Sequence, residues 1–329
     1  MAEKPSVAVV IPSLNRESVV TDTVMELLDA PSRHMAELIV VDQSESENRR
    51  LATLADPRLV YRHVGFKNQS QARNYGTAMS RADVVLFLDD DVRGLADIVD
   101  AHARAHLRTD ADLVTGPILS GDDKLIPAAS LSAEQRAHLM SGKIYIANLG
   151  AEYVPAHAPS CNASFRRSLL VELGGFDEHF LSGPVAVEDA EITHRVRTAA
   201  GRIIFDPKAA LVHLAARTGG TRDEADLLQR AEMGILNAHY FCHKIGGKSL
   251  ATQWMLGVFR TQALNREALR SHSVATTIRL VGRLLRASMR ARGRTARLLN
   301  ASRQQRLTSG RRRYRRVPFD RHAGGAKFE

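Results

Sequence analysis

The sequence predicts an α/β fold built on a mostly parallel, nucleotide-binding sheet. Three observations carry this. Three strand–helix units fit into about the first 90 residues, and each strand ends on polar residues. The next strand, Val84-Val85-Leu86-Phe87-Leu88, runs straight into Asp89-Asp90-Asp91. No Walker A sequence and no G-x-G-x-x-G occurs in this stretch, so ATPase and dehydrogenase readings lose their motif. Five apolar residues with a β-branched pair suit a strand buried on both faces. Ligands of open α/β sheets bind outside the carboxyl ends of strands, which is where the aspartates fall. Adjacent carboxylates repel unless a cation or ordered donors compensate. Asp89 and Asp91, as alternate residues, can aim oxygens at one hard cation such as Mg²⁺ or Mn²⁺. The competing reading is a solvated acidic turn.

The first strand is Val7–Ile11, broken by Pro12-Ser13-Leu14-Asn15-Arg16. A helix over about 18–29 follows, with Val20, Val24, Leu27 and Leu28 on one face. The second strand is Glu37–Val41, closing on Asp42-Gln43-Ser44. Right-handed crossover makes these two strands parallel. Leu59–His63 is a third strand, and Asn68–Gly76 opens a helix with Ser70 as its cap. A helix over 95–107 carries His102 and His106 at i,i+4 spacing; lacking an H-E-x-x-H glutamate, it reads as a surface helix. Residues 112–117 form a further strand, and 120–150 look like an insertion over the sheet. Ser160–Arg167 precedes a short helix and Gly174-Gly175-Phe176-Asp177, and the Asn162-Ala163-Ser164 sequon reads as chance. Glu188-Asp189 begins another helix at its positive end. Strands at 202–205 and 211–213 follow, then a loop, Arg217-Thr218-Gly219-Gly220-Thr221-Arg222, and a helical region over about 223–259 whose Met, Tyr and Phe read as core.

Hydrophobic content of 44% and charged content of 25% over 329 residues are those of a soluble globular chain. Two cysteines, Cys161 and Cys242, give no disulfide framework and suggest a reducing compartment. No run suits a membrane span, and the N-terminus enters a strand at once. A cytoplasmic location is therefore expected. The net charge of +10 is uneven: residues 279–329 hold 15 Arg and one Lys against two acidic residues, a net of +14, leaving −4 for residues 1–278. In a helix over about 277–299, Arg279, Arg283, Arg286, Arg290, Arg294 and Arg297 share one face. Leu280, Val281, Leu284, Leu285, Met289, Leu298 and Leu299 take the other, and Arg311–Arg316 extends the charge. Anionic lipid at the inner face of the cell membrane is the favoured partner for 279–316. Nucleic acid is the weaker reading, since no recognition motif accompanies the charge.

The ordered set of Pro12–Arg16, Val40–Ser44, Ala72–Gly76, Phe87–Asp91, Gly175–Asp177 and Val187–Asp189 resembles a family 2 glycosyltransferase of the GT-A fold. The resemblance covers about residues 5–222. It implies an inverting enzyme that uses a nucleotide-diphosphate sugar and a divalent cation, Mg²⁺ or Mn²⁺. It further implies that Asp42 contacts the base, with Gln43 where many members carry a second aspartate. Pro12, Asn15 and Arg16 match the loop under the nucleotide; Arg73 and Asn74 match the helix start beside ribose and pyrophosphate. Asp89, Asp90 and Asp91 match the DxD region: Asp89 and Asp90 toward the nucleotide sugar, Asp91 with Asp89 toward the metal. His213 resembles a residue of the segment that closes over the pyrophosphate and is a third candidate ligand. Asp189 matches the catalytic base, with Glu188 as its rival. A carboxylate suits that role because the acceptor hydroxyl must lose a proton.

The domain organisation expected is a catalytic domain at 1–222, a helical extension at 223–278 and a basic tail at 279–329. The acceptor expected is a cell-envelope glycan, polysaccharide or lipid-linked molecule. Two rivals remain: a nucleotidyltransferase, although no Gly-rich triphosphate loop is present, and a non-catalytic glycosyltransferase-like scaffold. Residue by residue, Asp42 has a rival role as a strand-end cap, Asp189 as a helix-terminal carboxylate, Arg73 as a surface ion-pair partner and His213 as a structural histidine.

Overall fold

The computed structural model describes residues 5–182, 187–216, 219–220, 227–258, 282 and 285–300. Its strands are β1 (Val7–Ser13), β2 (Met35–Asp42), β3 (Leu59–His63), β4 (Val84–Leu88), β5 (Val92–Arg93), β6 (Leu113–Thr115), β7 (Ile118–Leu119), β8 (Asn162–Arg166), β9 (Ile203–Phe205) and β10 (Leu211–His213). Its helices are α1 (Glu17–Asp29), α2 (Arg49–Ala52), α3 (Gln69–Met79), α4 (Ile98–Thr109), α5 (Ala133–Met140), α6 (Arg167–Glu172), α7 (Glu188–Thr198) and α8 (Leu227–Val258). The chain forms two compact units. One is built from residues up to Asp177 and from Ile192–Gly220, the other from Glu178–Glu191 and helical segments beyond Gly220.

The first unit holds a seven-stranded sheet in the order β3-β2-β1-β4-β8-β6-β9. All neighbours are parallel except β8, which is antiparallel to β4 and β6. Alternation on β1 explains why both faces are covered. Val7, Val9 and Ile11 meet Val20, Val24 and Leu27 of α1 and Ile98 of α4 in one core cluster. Ala8 and Val10 point the other way, to Ala72 of α3, Phe176, and Ile192 and Val196 of α7. Helix α3 rides close to the sheet at Gly76, where a Cβ would lie 2.4 Å from a Val10 methyl. Its cap is Asn68, whose side chain accepts from the Gln71 amide, rather than the expected Ser70, which is buried inside the helix.

Strand β8 departs from the sequence reading, which left 160–167 without a strand. Its period-2 signal is masked because Asn162 and Ser164, on one face, are polar yet fully buried. The other face, Ala163 and Phe165, joins the core, where Phe165, Phe87 and Phe176 meet edge-to-face. The polar face is satisfied by α4. His102 bridges Asn162 Oδ1 (2.9 Å) and Ser164 Oγ (2.8 Å), and His106 lies between Ser164 Oγ and the Ala111 carbonyl, both at 2.8 Å. The expectation of surface histidines on 95–107 is therefore corrected: both are buried, because the imidazoles supply the partners that buried polar groups require. Asn162 at zero exposure also supports the sequon as chance.

A second, three-stranded sheet, β5-β10-β7, pairs His213 with Val92, the residue after the aspartates. The segment between β7 and β8 carries α5, which has a full capping box from Ser132 and Gln135, and a small core around Phe205 and Tyr153.

In the second unit, α8 is broken at Gly247 (φ 75°). Asn237 exchanges two hydrogen bonds with the Leu181 backbone (2.9 and 2.7 Å), and Tyr240 packs on Phe180. Glu191, fully buried, pairs with Lys244 at 2.6 Å. Residues 285–300 are helical. Here the inward residues are small: Ala287, Ser288, Ala291 and Thr295 are buried, whereas Leu285 and Met289 are 51% and 64% exposed. Small side chains thus form the buried side of this helix, and Leu285 and Met289, which the sequence places on its apolar face, are exposed. Arg279, Leu280, Val281, Arg283, Leu284 and Arg311–Arg316 lie outside the described residues. Among the described residues, no helix is long and apolar enough to cross a membrane.

Candidate active site

The site of the first unit lies where β1, β2 and β4 end together and β10 returns. Each residue there is placed by strand register. Ser13 of β1 pairs with Asp42 of β2, and Val10 of β1 with Phe87 of β4. The aspartates therefore leave the sheet beside the β1–α1 loop.

Asp91 is the most enclosed of the three (1% exposed), and its two oxygens differ. Oδ2 accepts the Ala216 amide (2.8 Å) and lies 3.2 Å from Arg16 Nη1. Oδ1 is buried and accepts no hydrogen bond. His213 Nε2 approaches it to 3.3 Å, close enough for an ionic contact but not aligned as a hydrogen bond. The same nitrogen is 3.5 Å from Asp89 Oδ2, and Arg73 lies 3.9 Å from Asp89 Oδ1. Burial works to raise the Asp89 carboxyl, but His213, Arg73 and Arg16 together hold it below the ordinary value.

Asp90 turns away from this group. Its oxygens accept Ser13 Oγ and Arg16 Nη1, each at 2.7 Å, and its carbonyl accepts Thr23 Oγ1 (2.6 Å). Burial pushes its carboxyl up to about 6 against the pull of Arg16 and Ser13, so at neutral pH it stays the carboxylate partner of Arg16.

Asp89, Asp91 and His213 each offer a ligand atom, all within 4.8 Å of one another. An oxygen-rich cluster with a buried, donor-free oxygen is the donor set of a hard divalent cation. Asp89 and Asp91 fit such an ion as they stand. For His213 the fit has a condition. The Ala215 amide donates to Nδ1 (3.1 Å), which puts the proton of a neutral ring on Nε2. Ligation through Nε2 moves that proton to Nδ1 and releases the Ala215 contact.

The remaining expected residues are spread around this cluster. Arg73 is buried, not a surface residue, and its guanidinium stacks 5.4 Å from the centre of the Phe176 ring. Asn74 uses both ends of its amide on the Phe176 backbone (2.9 and 2.7 Å). Asp42 is buried, with Tyr61 Oη at 2.6 Å and the Ser44 amide at 3.0 Å. Gln43 accepts the Asn68 amide (2.6 Å), tying the β2 end to the start of α3. Pro12 is buried in β1, opposite Val41. Asn15 has φ 53° and links the β1 and β2 loops, its amide donating to Ser44 Oγ (2.7 Å).

Glu188 and Asp189 lie in the first turn of α7, within the second unit. Glu188 is buried, and Asp189 is half-buried with Oδ1 accepting the Ala190 amide (2.8 Å). Of the loop 217–222, only Gly219 and Gly220 are among the described residues. Two participants escaped sequence reasoning: the Ala216 amide, because a backbone group leaves no mark in the sequence, and Ser13, whose role depends on Asp90 turning toward it.

The family model for Glycosyl transferase family 2 matches residues 8–174. Two curated relatives are pre-mycofactocin glycosyltransferases of Mycobacterium tuberculosis, from strains CDC 1551 / Oshkosh and ATCC 25618 / H37Rv. Each is 28% identical over 156 residues, 47% of this chain and 32% of the relative. The chain thus spans about a third of the length of the curated relatives it matches. Among solved structures, the crystal structure of GalNAc-T7 with UDP, GalNAc and Mn²⁺ superposes with a TM-score of 0.56 at 14% identity, covering 74% of this chain and 50% of that one. At that identity the likeness is one of fold. With just over half of its residues inside the family model, the chain belongs to glycosyl transferase family 2.

Proposed function

We propose that this protein is an inverting glycosyltransferase that moves a sugar from a nucleotide-diphosphate sugar to an acceptor hydroxyl, with Mg²⁺ or Mn²⁺ held by Asp89, Asp91 and His213. The observation that carries the reading is the buried Asp91 Oδ1, which accepts no hydrogen bond and faces His213 Nε2 at 3.3 Å. The Mn²⁺ and UDP named for GalNAc-T7 support the same reading. When bound, the ion neutralises charge that develops on the diphosphate as the glycosidic bond breaks.

The chain's own residues supply the rest. Arg73, beside Asp89, adds positive charge toward the leaving group. Asp42 and Gln43 border the base, and Pro12, Asn15 and Asn74 shape the loops around the nucleotide. In the transfer step the acceptor oxygen bonds to the anomeric carbon, and the bond from that carbon to the phosphate oxygen breaks. The nucleoside diphosphate leaves with the electron pair. Asp189 accepts the hydroxyl proton, with Glu188 as the alternative base, and the anomeric centre inverts. We place the acceptor among cell-envelope glycans, polysaccharides or lipid-linked molecules.

We also propose the division into a catalytic domain at 1–222, a helical extension at 223–278 and a basic tail at 279–329, with the protein acting at the inner face of the membrane. The tail helix supports this, since exposed Leu285 and Met289 are flanked by exposed Arg286, Arg290, Arg292 and Arg297. That pattern suits an anionic lipid surface. For the chemistry, the experiment is nucleoside-diphosphate release from a panel of sugar nucleotides with Mn²⁺, comparing wild type with Asp189→Asn and Glu188→Gln. Loss of a general base costs about 10²–10⁴-fold, and we expect that loss at Asp189. Full activity of Asp189→Asn would remove the assignment.

A further inference from the structure

Arg16 matches the loop under the nucleotide, yet its guanidinium is engaged elsewhere. Nη1 lies 2.7 Å from Asp90 Oδ1 and 3.2 Å from Asp91 Oδ2, and Nη2 donates to the Ala216 carbonyl (3.2 Å). Ala216 returns its own amide to Asp91 Oδ2 (2.8 Å), and the Leu214 amide donates to the Asp91 carbonyl (2.9 Å). Gly220 donates to the Leu14 carbonyl (2.8 Å). Gly219 and Gly220 have φ of 73° and 67° and press directly on Arg16. A Cβ on Gly219 would lie 2.5 Å from Arg16 Cγ, and one on Gly220 would lie 2.9 Å from Arg16 Cζ. Asp90 and its neighbours hold the guanidinium charged against the cost of burial.

We infer that Arg16 is a positioning residue. It fixes Leu214–Ala216 against Asp91, so that Asp91 keeps Oδ2 occupied and presents Oδ1 alone to the cation, with His213 held beside it. The inference rests on the proposed metal role of Asp89, Asp91 and His213. Two effects of removing Arg16 oppose each other. Loss of a cation near the ion strengthens Coulomb attraction, and loss of the clamp disorders the ligands. The charge-conserving pair Arg16→Met with Asp90→Asn cancels the first effect to leading order. It also avoids leaving a buried carboxylate without its partner, which is the change most apt to unfold the chain. Gly220→Ala is an independent probe, because it displaces the guanidinium without changing any charge.

The test uses the full chain with MnCl₂ alone, free Mn²⁺ being followed by electron paramagnetic resonance, together with amide hydrogen exchange at Leu214 and Ala216. Partners behind metal ligands typically contribute 10–100-fold in affinity, so the double variant should bind Mn²⁺ about 10-fold more weakly. Its Leu214 and Ala216 amides should exchange faster, and Gly220→Ala should shift both readouts in the same direction. Unchanged Mn²⁺ affinity and unchanged exchange in the double variant would overturn the role of Arg16 while leaving the metal reading intact. No Mn²⁺ binding by wild type, or equal binding by Asp91→Ala, would overturn the metal reading and this inference with it.

Discussion

At the scale of single residues, the site works by giving neighbouring identical side chains different surroundings. Asp89, Asp90 and Asp91 are adjacent, yet one is half-buried between Arg73 and His213, one is tied to Ser13 and Arg16, and one keeps an oxygen without a donor. His102 and His106 show the same principle away from the chemistry. Burial lowers His102 to about 4, with Asn162 and Asp206 opposing. Burial likewise lowers His106 to about 3, with Ala111 opposing. Asn162 Nδ2 donates to the Pro117 and Ala209 carbonyls, so its Oδ1 accepts from His102 Nε2. His106 Nδ1 donates to Ala111, which leaves Ser164 with one hydroxyl proton for two imidazole nitrogens.

Both folded-state values lie below the ordinary 6.5. The unfolded chain therefore takes up protons below that pH before the native protein does. Their contribution to stability is fully present above pH 6.5 and is lost as pH falls toward 4 and 3. Each imidazole gives a slope of up to about 1.4 kcal/mol per pH unit in that window. We expect urea midpoints to fall between pH 6.5 and 4.5, and to fall less steeply in a His102→Gln variant. Equal slopes in the two proteins would contradict this reading.

At the scale of elements, legibility followed apolar alternation. Strands β1 to β4 and helix α1 are legible within a few residues, because both faces of β1 and β4 are apolar and α1 carries one apolar stripe. The run of three aspartates is legible for the same reason, as it begins where the apolar run stops. Strand β8 was not, since Asn162 and Ser164 are polar residues buried against α4. The amphipathic pattern of the tail helix is legible in the sequence, but not that Ala287, Ser288, Ala291 and Thr295 form the buried side of 285–300, because small side chains carry little hydropathy signal.

The exposed apolar side chains support the proposed lipid docking. Leu285 and Met289 remain exposed among the arginines, so they are available to a bilayer. An arginine near an anionic surface contributes about 1 kcal/mol. A buried apolar side chain contributes roughly 1.5 kcal/mol. Four arginines and two apolar residues then amount to an affinity of about 10 µM. Co-sedimentation with phosphatidylglycerol vesicles should weaken about 100-fold in a Leu285→Gln, Met289→Gln double variant and fall with added salt. Binding of that variant at the wild-type level would count against docking through this helix.

At the scale of the whole molecule, four of the six short motifs that carry the resemblance lie within the family model over residues 8–174, and the superposition on a GT-A enzyme matches the expected fold. The family resemblance offers His213 as the third member of the cluster, but motif spacing does not fix where it sits. His213 lies 122 positions after Asp91, and its place depends on β10 pairing with β5. The Ala216 amide and the Arg16 clamp follow from that return of the chain.

The central claim is that Asp91 and its neighbours hold a divalent cation on which sugar transfer depends. It is tested most directly by measuring sugar-nucleotide turnover across a Mn²⁺ titration in wild type and in Asp91→Ala. We expect saturable Mn²⁺ activation in wild type, abolished by chelation, and a loss of about 10³-fold in the variant, the scale of removing a charge-stabilising group from a transition state. Turnover that is indifferent to Mn²⁺ and Mg²⁺, or undiminished in Asp91→Ala, would contradict it.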